Sequence, residues 1–173
     1  MKKILLLLTV VAAFAFQGCE GPEGPQGPQG PSDGNTISEV FEVTRSFNAG
    51  NNFGSIVPLN PQIYASDVVL VYLLWDTVNP TTPIWRLMPQ TVQLSEGDLL
   101  YNFDFTRSDV NIFLSSADLD LNMLAPQWTQ NQTFRIVIVP GYFSKNAQPV
   151  DYSDYNAVIK AYNIDESKIK VLK

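Results

Sequence analysis

The sequence predicts a mainly β domain, a β-sandwich of about eight strands with a short C-terminal helix, and three observations carry that expectation. From Thr36 onward, short apolar or alternating segments are separated by clusters of Asn, Pro, Gly, Ser and Asp, the punctuation of hairpins and turns. Residues 99–106 set Leu99, Tyr101, Phe103 and Phe105 against Asn102, Asp104 and Thr106, the period-two alternation of a strand buried on one face. Residues 68–75 and 134–139 are apolar at nearly every position and are bounded by Asp67, Asp76 and Pro140, as central strands buried on both faces would be.

The other elements follow in chain order. Strands are expected at residues 37–47, 54–59, 84–88, 91–94, 110–114 and 169–172, with Ser95, Glu96, Gly97 and Asp98 turning the chain after Leu94. A sheet with continuously apolar strands needs cover on both sides, so a helix or long loop is expected over one of its faces. Residues 153–162 supply a helix, with Ala157, Val158, Ala161 and Tyr162 at helical spacing and Ser153 or Asp151 as its cap. No internal repeat points to a propeller or solenoid.

Upstream of this domain, residues 1–18 read as a signal peptide. Lys2 and Lys3 form a charged start, and Ile4 to Phe16 is an apolar run interrupted only by Thr9. As a helix that run spans about 20 Å, short of the roughly 30 Å of a hydrocarbon core, so cleavage is expected rather than a permanent span. Residues 19–36 form a separate segment. It begins with Cys19, the chain's one cysteine, and continues as four Gly-Pro-x triplets from Gly21 to the break at Asp33. Residues 37–173 are the expected sandwich domain.

The segment Phe16-Gln17-Gly18-Cys19 resembles the lipobox of bacterial lipoproteins, in which the cysteine is diacylated and becomes the first residue of the mature chain. Gly18 and Cys19 match, while Phe16 and Gln17 stand where aliphatic and small residues are usual. The resemblance implies lipidation at Cys19 and attachment to a membrane, since acyl chains contribute about 0.8 kcal/mol per buried methylene. The triplets resemble collagen. Four of them offer little against the entropy of ordering three chains, so a polyproline II spacer in a monomer is expected, with a trimer as the alternative. Such a spacer reaches up to roughly 50 Å. The whole arrangement resembles the small collagen-like lipoproteins of Bacteroidetes, particularly flavobacteria, which implies an address in the cell envelope, at the outer membrane, on its periplasmic or its surface face.

Composition narrows the function. The formal charge is −6, and loss of Lys2 and Lys3 from the 11 basic residues leaves 9 against 17 acidic ones, a net −8. Nucleic-acid binding is disfavoured, and no basic block remains to hold an anionic membrane. The chain has no histidine, which removes the usual general base and the commonest transition-metal ligand. No cofactor motif is present.

Several residues are site candidates. Trp85 and Trp128, beside Pro83 and Pro126, are candidates for an exposed ligand-binding surface, whereas Trp75 at the end of an apolar run reads as core. Asp118, Asp120 and Asn122 have the alternate spacing that starts a calcium loop, but Met123 and Thr129 occupy the places that need glycine and glutamate, so no metal is expected. Asp76-Thr77-Val78 resembles the O-glycosylation sequon of Bacteroidetes and marks Thr77. The expected function is a non-enzymatic module that binds a protein or glycan, or serves an envelope structure. The alternative is a carbohydrate-active enzyme with a carboxylate pair, which needs no histidine.

Overall fold

The computed structural model describes residues 39–79, 81–141 and 149–172; the leader, Cys19 and the Gly-Pro-x triplets fall outside them. Within these residues the chain forms β1 (Glu39–Arg45), β2 (Gly54–Pro58), β3 (Val68–Thr77), β4 (Pro83–Leu87), β5 (Gln90–Leu94), β6 (Gly97–Phe105) and β7 (Asp109–Ser115). A short helix α1 (Pro126–Thr129), then β8 (Gln132–Val139), α2 (Tyr155–Ala161) and β9 (Lys170–Leu172) complete it. Each expected strand is present, with ends shifted by a few residues.

The strands form two sheets, a five-stranded one in the order β4-β3-β8-β1-β9 and a four-stranded one in the order β2-β7-β6-β5. Only the β1–β9 pair is parallel. Between the sheets lies the main core. Val43, Val71, Phe134 and Ile136 from the larger sheet meet Val57, Leu99, Tyr101, Val110 and Ile112 from the smaller. Strand β3 runs two residues past Trp75, to Thr77, because a register shift between Leu74 and Asp76 bulges Trp75 out and lets pairing with β4 resume. Trp75 packs partly against the core, and the Arg86 guanidinium lies 3.8 Å from its ring centroid.

The five-stranded sheet is apolar on its outer face as well. Val40, Leu70, Tyr72, Val137 and Val139 alternate with the core-facing residues of the same strands, and helix α2 covers them with Tyr155 and Val158. The face that α2 buries runs Tyr155, Val158, Ile159 and Tyr162, while Ala157 is half-buried and Ala161 exposed. The expected stripe is therefore rotated, because tyrosine and β-branched side chains reach the sheet and alanine does not. The cap also differs. Asp154, with extended backbone, accepts the Asn156 amide at 2.9 Å, and Asp151 instead closes the preceding turn by accepting the Ser153 amide and hydroxyl.

Two buried tyrosine hydroxyls fasten connecting segments to the sandwich. Tyr72 donates to the Tyr152 carbonyl at 2.7 Å just before α2, and Tyr101 donates to the Trp128 carbonyl at 2.6 Å in α1. Arg135, in the middle of the outer face, has Tyr72 and Glu42 as its cross-strand neighbours. It donates to Glu42 at 3.1 Å, to Glu166 at 2.7 Å and to the Tyr155 hydroxyl at 2.6 Å, and its guanidinium lies 4.4 Å from the Trp85 ring centroid. Burial works against its charge, but Tyr155, Glu42 and Glu166 outweigh burial and hold the guanidinium pKa above its ordinary value.

Burial also pushes the hydroxyls of Tyr72, Tyr101 and Tyr155 above their ordinary value of 10.0. Tyr162, half-buried and bonded to the Tyr152 hydroxyl, is pushed up to about 12. A raised pKa in the folded state gives stability that is complete below 10.0, where unfolded tyrosine keeps its proton, and that is lost as pH rises through the folded values. Unfolding free energy is therefore expected to fall as pH climbs past 10.0. Phenolate absorbance followed beside circular dichroism checks this: the buried hydroxyls ionise together with loss of the β signal, and ionisation of all seven tyrosines with the β signal intact contradicts it.

Candidate functional site

The two sheets differ in what lies on their outer faces. In the four-stranded sheet the inward positions Val57, Val110, Ile112 and Leu114 alternate with outward Ile56, Asn111, Phe113 and Ser115. Pairing sets Ile56, Asn111 and Asp104 in one row across β2, β7 and β6, and Gly54, Phe113 and Asn102 in the next. Neither apolar cluster of the described residues lies on this face. Ile56 is 66% exposed there, in contrast to the buried outward residues of β3 and β8.

At the β2 edge this face deepens into a cleft of about 510 Å³, lined by Asn51, Asn52, Gly54, Ile56, Asn111, Phe113 and Leu114, within the size range of small-ligand sites. Its floor is a consequence of pairing a glycine with an aromatic residue. Gly54 lies directly opposite Phe113 and places no side chain beside the ring. A Cβ there would stand 3.6 Å from Asn111 Oδ1 and 3.7 Å from Phe113 Cβ, in ordinary van der Waals contact.

A short 3-10 turn, Ala49–Asn51, builds the rim. Asn48 caps it, its side chain accepting the amides of Gly50 at 2.8 Å and Asn51 at 3.3 Å, while Asn51 Oδ1 accepts the Asn48 amide at 2.9 Å. Asn51 also donates to the Ser46 carbonyl at 2.8 Å. Two consecutive residues then take left-handed backbone, Asn52 at φ 51° and Phe53 at φ 53°. Asparagine tolerates that region, whereas phenylalanine is strained there. Phe53 is held by packing its ring against the core and by two backbone bonds, its amide to the Asn48 carbonyl and its carbonyl from the Leu114 amide, each 2.9 Å.

The lining carries no charged side chain. The Asn51 amide is occupied within the rim, but those of Asn52 and Asn111 make no hydrogen bond to the described residues. Asn102, in the neighbouring row, donates to the Ser115 hydroxyl at 2.8 Å. The site thus offers unspent amide donors and acceptors beside an aromatic ring and an exposed aliphatic side chain.

The residues singled out in the sequence lie elsewhere and are not brought together. Trp85 packs into the cluster under α2, with its indole nitrogen buried and without a hydrogen-bond partner among the described residues, and such a donor costs about 1–3 kcal/mol. Trp128 packs partly against the main core from α1. Asp120 caps the 3-10 turn Leu121–Met123, and the Asn122 backbone and side-chain amides lower its pKa. Asp118 is exposed, and among the described residues no three His, Cys, Asp or Glu side chains gather as metal ligands. Thr77 is exposed at the end of β3, its amide bonded to Asp76 at 2.7 Å. The cleft residues had a faint signal in the sequence: an Asn- and Gly-rich turn leading into a strand, and a β7 whose polar face includes a phenylalanine.

No helix of the described residues is long and apolar enough to cross a membrane. Comparison with protein-family models, with curated proteins and with solved structures returns no match for the chain.

Because Asn48 organises the rim, Asn48→Ala is expected to lower stability by about 0.5–2 kcal/mol. Denaturant unfolding measures this, and an unchanged midpoint would show that the turn holds without its cap.

Proposed function

We propose that this chain is a lipoprotein of the bacterial cell envelope, anchored at the outer membrane through Cys19 and presenting its β-sandwich as a binding module for a glycan or a protein. The reading of the address rests on the leader, on Gly18-Cys19 and on the Gly-Pro-x segment as a monomeric spacer. The reading of the domain rests on one observation above the others: the four-stranded sheet keeps an outward face with a cleft, while the five-stranded sheet spends its outward face on α2.

A binding role accords with the chemistry of that cleft. Its polar groups are amides, which hydrogen-bond without transferring protons at neutral pH. Among the described residues, the carboxylates with shifted proton affinity are Asp120, Asp151 and Asp165, and turn hydrogen bonds lower the pKa of each. A general acid for glycoside hydrolysis needs the opposite shift. Glu42 and Glu166 converge, but on Arg135.

Two measurements test the proposal. Cys19→Ala is expected to move the protein from the membrane fraction to the soluble fraction on cell fractionation, and full membrane retention refutes lipid anchoring. Thermal unfolding of the full chain in detergent, against fractionated envelope extract, is expected to show stabilisation by one or more fractions. A ligand selective for the folded state adds about 2.7 kcal/mol at one hundred times its Kd. Absence of a shift in every fraction contradicts the binding reading.

A further inference from the structure

We infer that the Gly54–Phe113 cleft is a binding site for an uncharged sugar unit of a glycan; this inference rests on the reading of the domain as a binding module. A pyranose ring presents equatorial and axial hydroxyls along its edge and C–H groups on its faces. Recognition then calls for side chains that donate and accept at once, set beside an apolar surface on which a face can lie.

The cleft meets both conditions. The amides of Asn52 and Asn111 each offer two donors and a carbonyl acceptor, and neither is consumed by the described residues. Gly54, the partner of Phe113 on β2, places no side chain against it, and the exposed Ile56 extends the apolar surface one step along β2. The C–H face of a sugar would lie against Phe113 and Ile56 while its hydroxyls reach Asn52 and Asn111.

Charge selects the class of ligand. No lining side chain is charged, the cross-strand neighbour of Asn111 beyond the cleft is Asp104, and the chain carries a net −6. An anionic sugar or a phosphate would find no cationic partner in the cleft and one carboxylate beside it. Rigidity favours binding too. The rim is fixed by the Asn48 capping box and by the bonds that hold Phe53 in its left-handed backbone, so little ordering is needed when a ligand enters.

Gly54 supplies a test compatible with the strand backbone. Its φ is not positive and the nearest atoms to an added Cβ stand at ordinary contact, so Gly54→Val suits a strand while filling the cleft floor. The full chain, in a detergent without a sugar headgroup, would be run by affinity electrophoresis through gels containing neutral polysaccharides (laminarin, mannan, xylan or starch) or acidic polygalacturonate. Gly54→Val and Asn111→Ala would be compared with the unaltered chain and with the distant Lys160→Ala, each checked for folding by circular dichroism. The expected result is retardation by a neutral polysaccharide that both cleft variants lose and Lys160→Ala keeps. Retardation that survives in folded cleft variants overturns this site and leaves the binding reading standing. Retardation by polygalacturonate alone, or by none of the polymers, overturns the ligand class. Stabilisation by envelope extract then separates that failure from failure of the wider proposal.

Discussion

The architecture depends on two strands that are apolar on both faces. In β3 and β8, Val71, Ile136 and Phe134 point into the sandwich while Leu70, Tyr72, Val137 and Val139 point away from it, and each is buried. Leaving either set in water would forfeit about 1.5–3 kcal/mol per large side chain. The sheet therefore needs a cover on its outer side, and the C-terminal segment supplies it. Tyr155 and Val158 of α2 close over the apolar residues, and Arg135 fastens that segment through Tyr155 and Glu166 while Glu42 holds the same guanidinium from β1. Arg135 has three polar partners on this apolar face, and the bonds it makes keep a charged centre compatible with burial.

That commitment leaves the opposite sheet with a different role. Strands β2 and β7 bury only alternate residues, so half their side chains serve no core. Amides, a phenylalanine and an isoleucine stand at those positions beside an edge strand that begins with glycine. The adjoining turn is built by asparagines whose side chains satisfy backbone amides, and it holds Phe53 in a conformation phenylalanine otherwise avoids. Core demands do not explain Phe113 and Ile56 on an outward face, whereas the proposed ligand contact would.

Much of the fold was legible because alternation and continuous apolarity are local signals. Leu99, Tyr101 and Phe103 announced β6, and the unbroken runs of β3 and β8 announced both the central strands and the need for a cover. The rotation of α2 was not legible, since Ala157 and Ala161 satisfy a helical pattern as well as Tyr155 and Ile159 do; the depth of the gap above the sheet decides between them. Trp85 and Trp128 were singled out for size and for neighbouring prolines, but packing draws large aromatic rings inward wherever sheet or core offers room. The cleft was the least legible feature. Gly54 and Phe113 are nearly sixty residues apart in sequence and become neighbours only through the β2–β7 register, which no local pattern specifies.

Under the proposed function the outward face of the four-stranded sheet, and not the aromatic cluster beneath α2, meets the ligand. Hydrogen–deuterium exchange of the full chain with and without a bound neutral polysaccharide tests it most directly. Protection is predicted in peptides covering residues 48–58 and 109–115, with exchange across residues 81–87 and 126–130 unchanged. Protection centred on Trp85 or Trp128 and absent from the cleft strands would contradict the account.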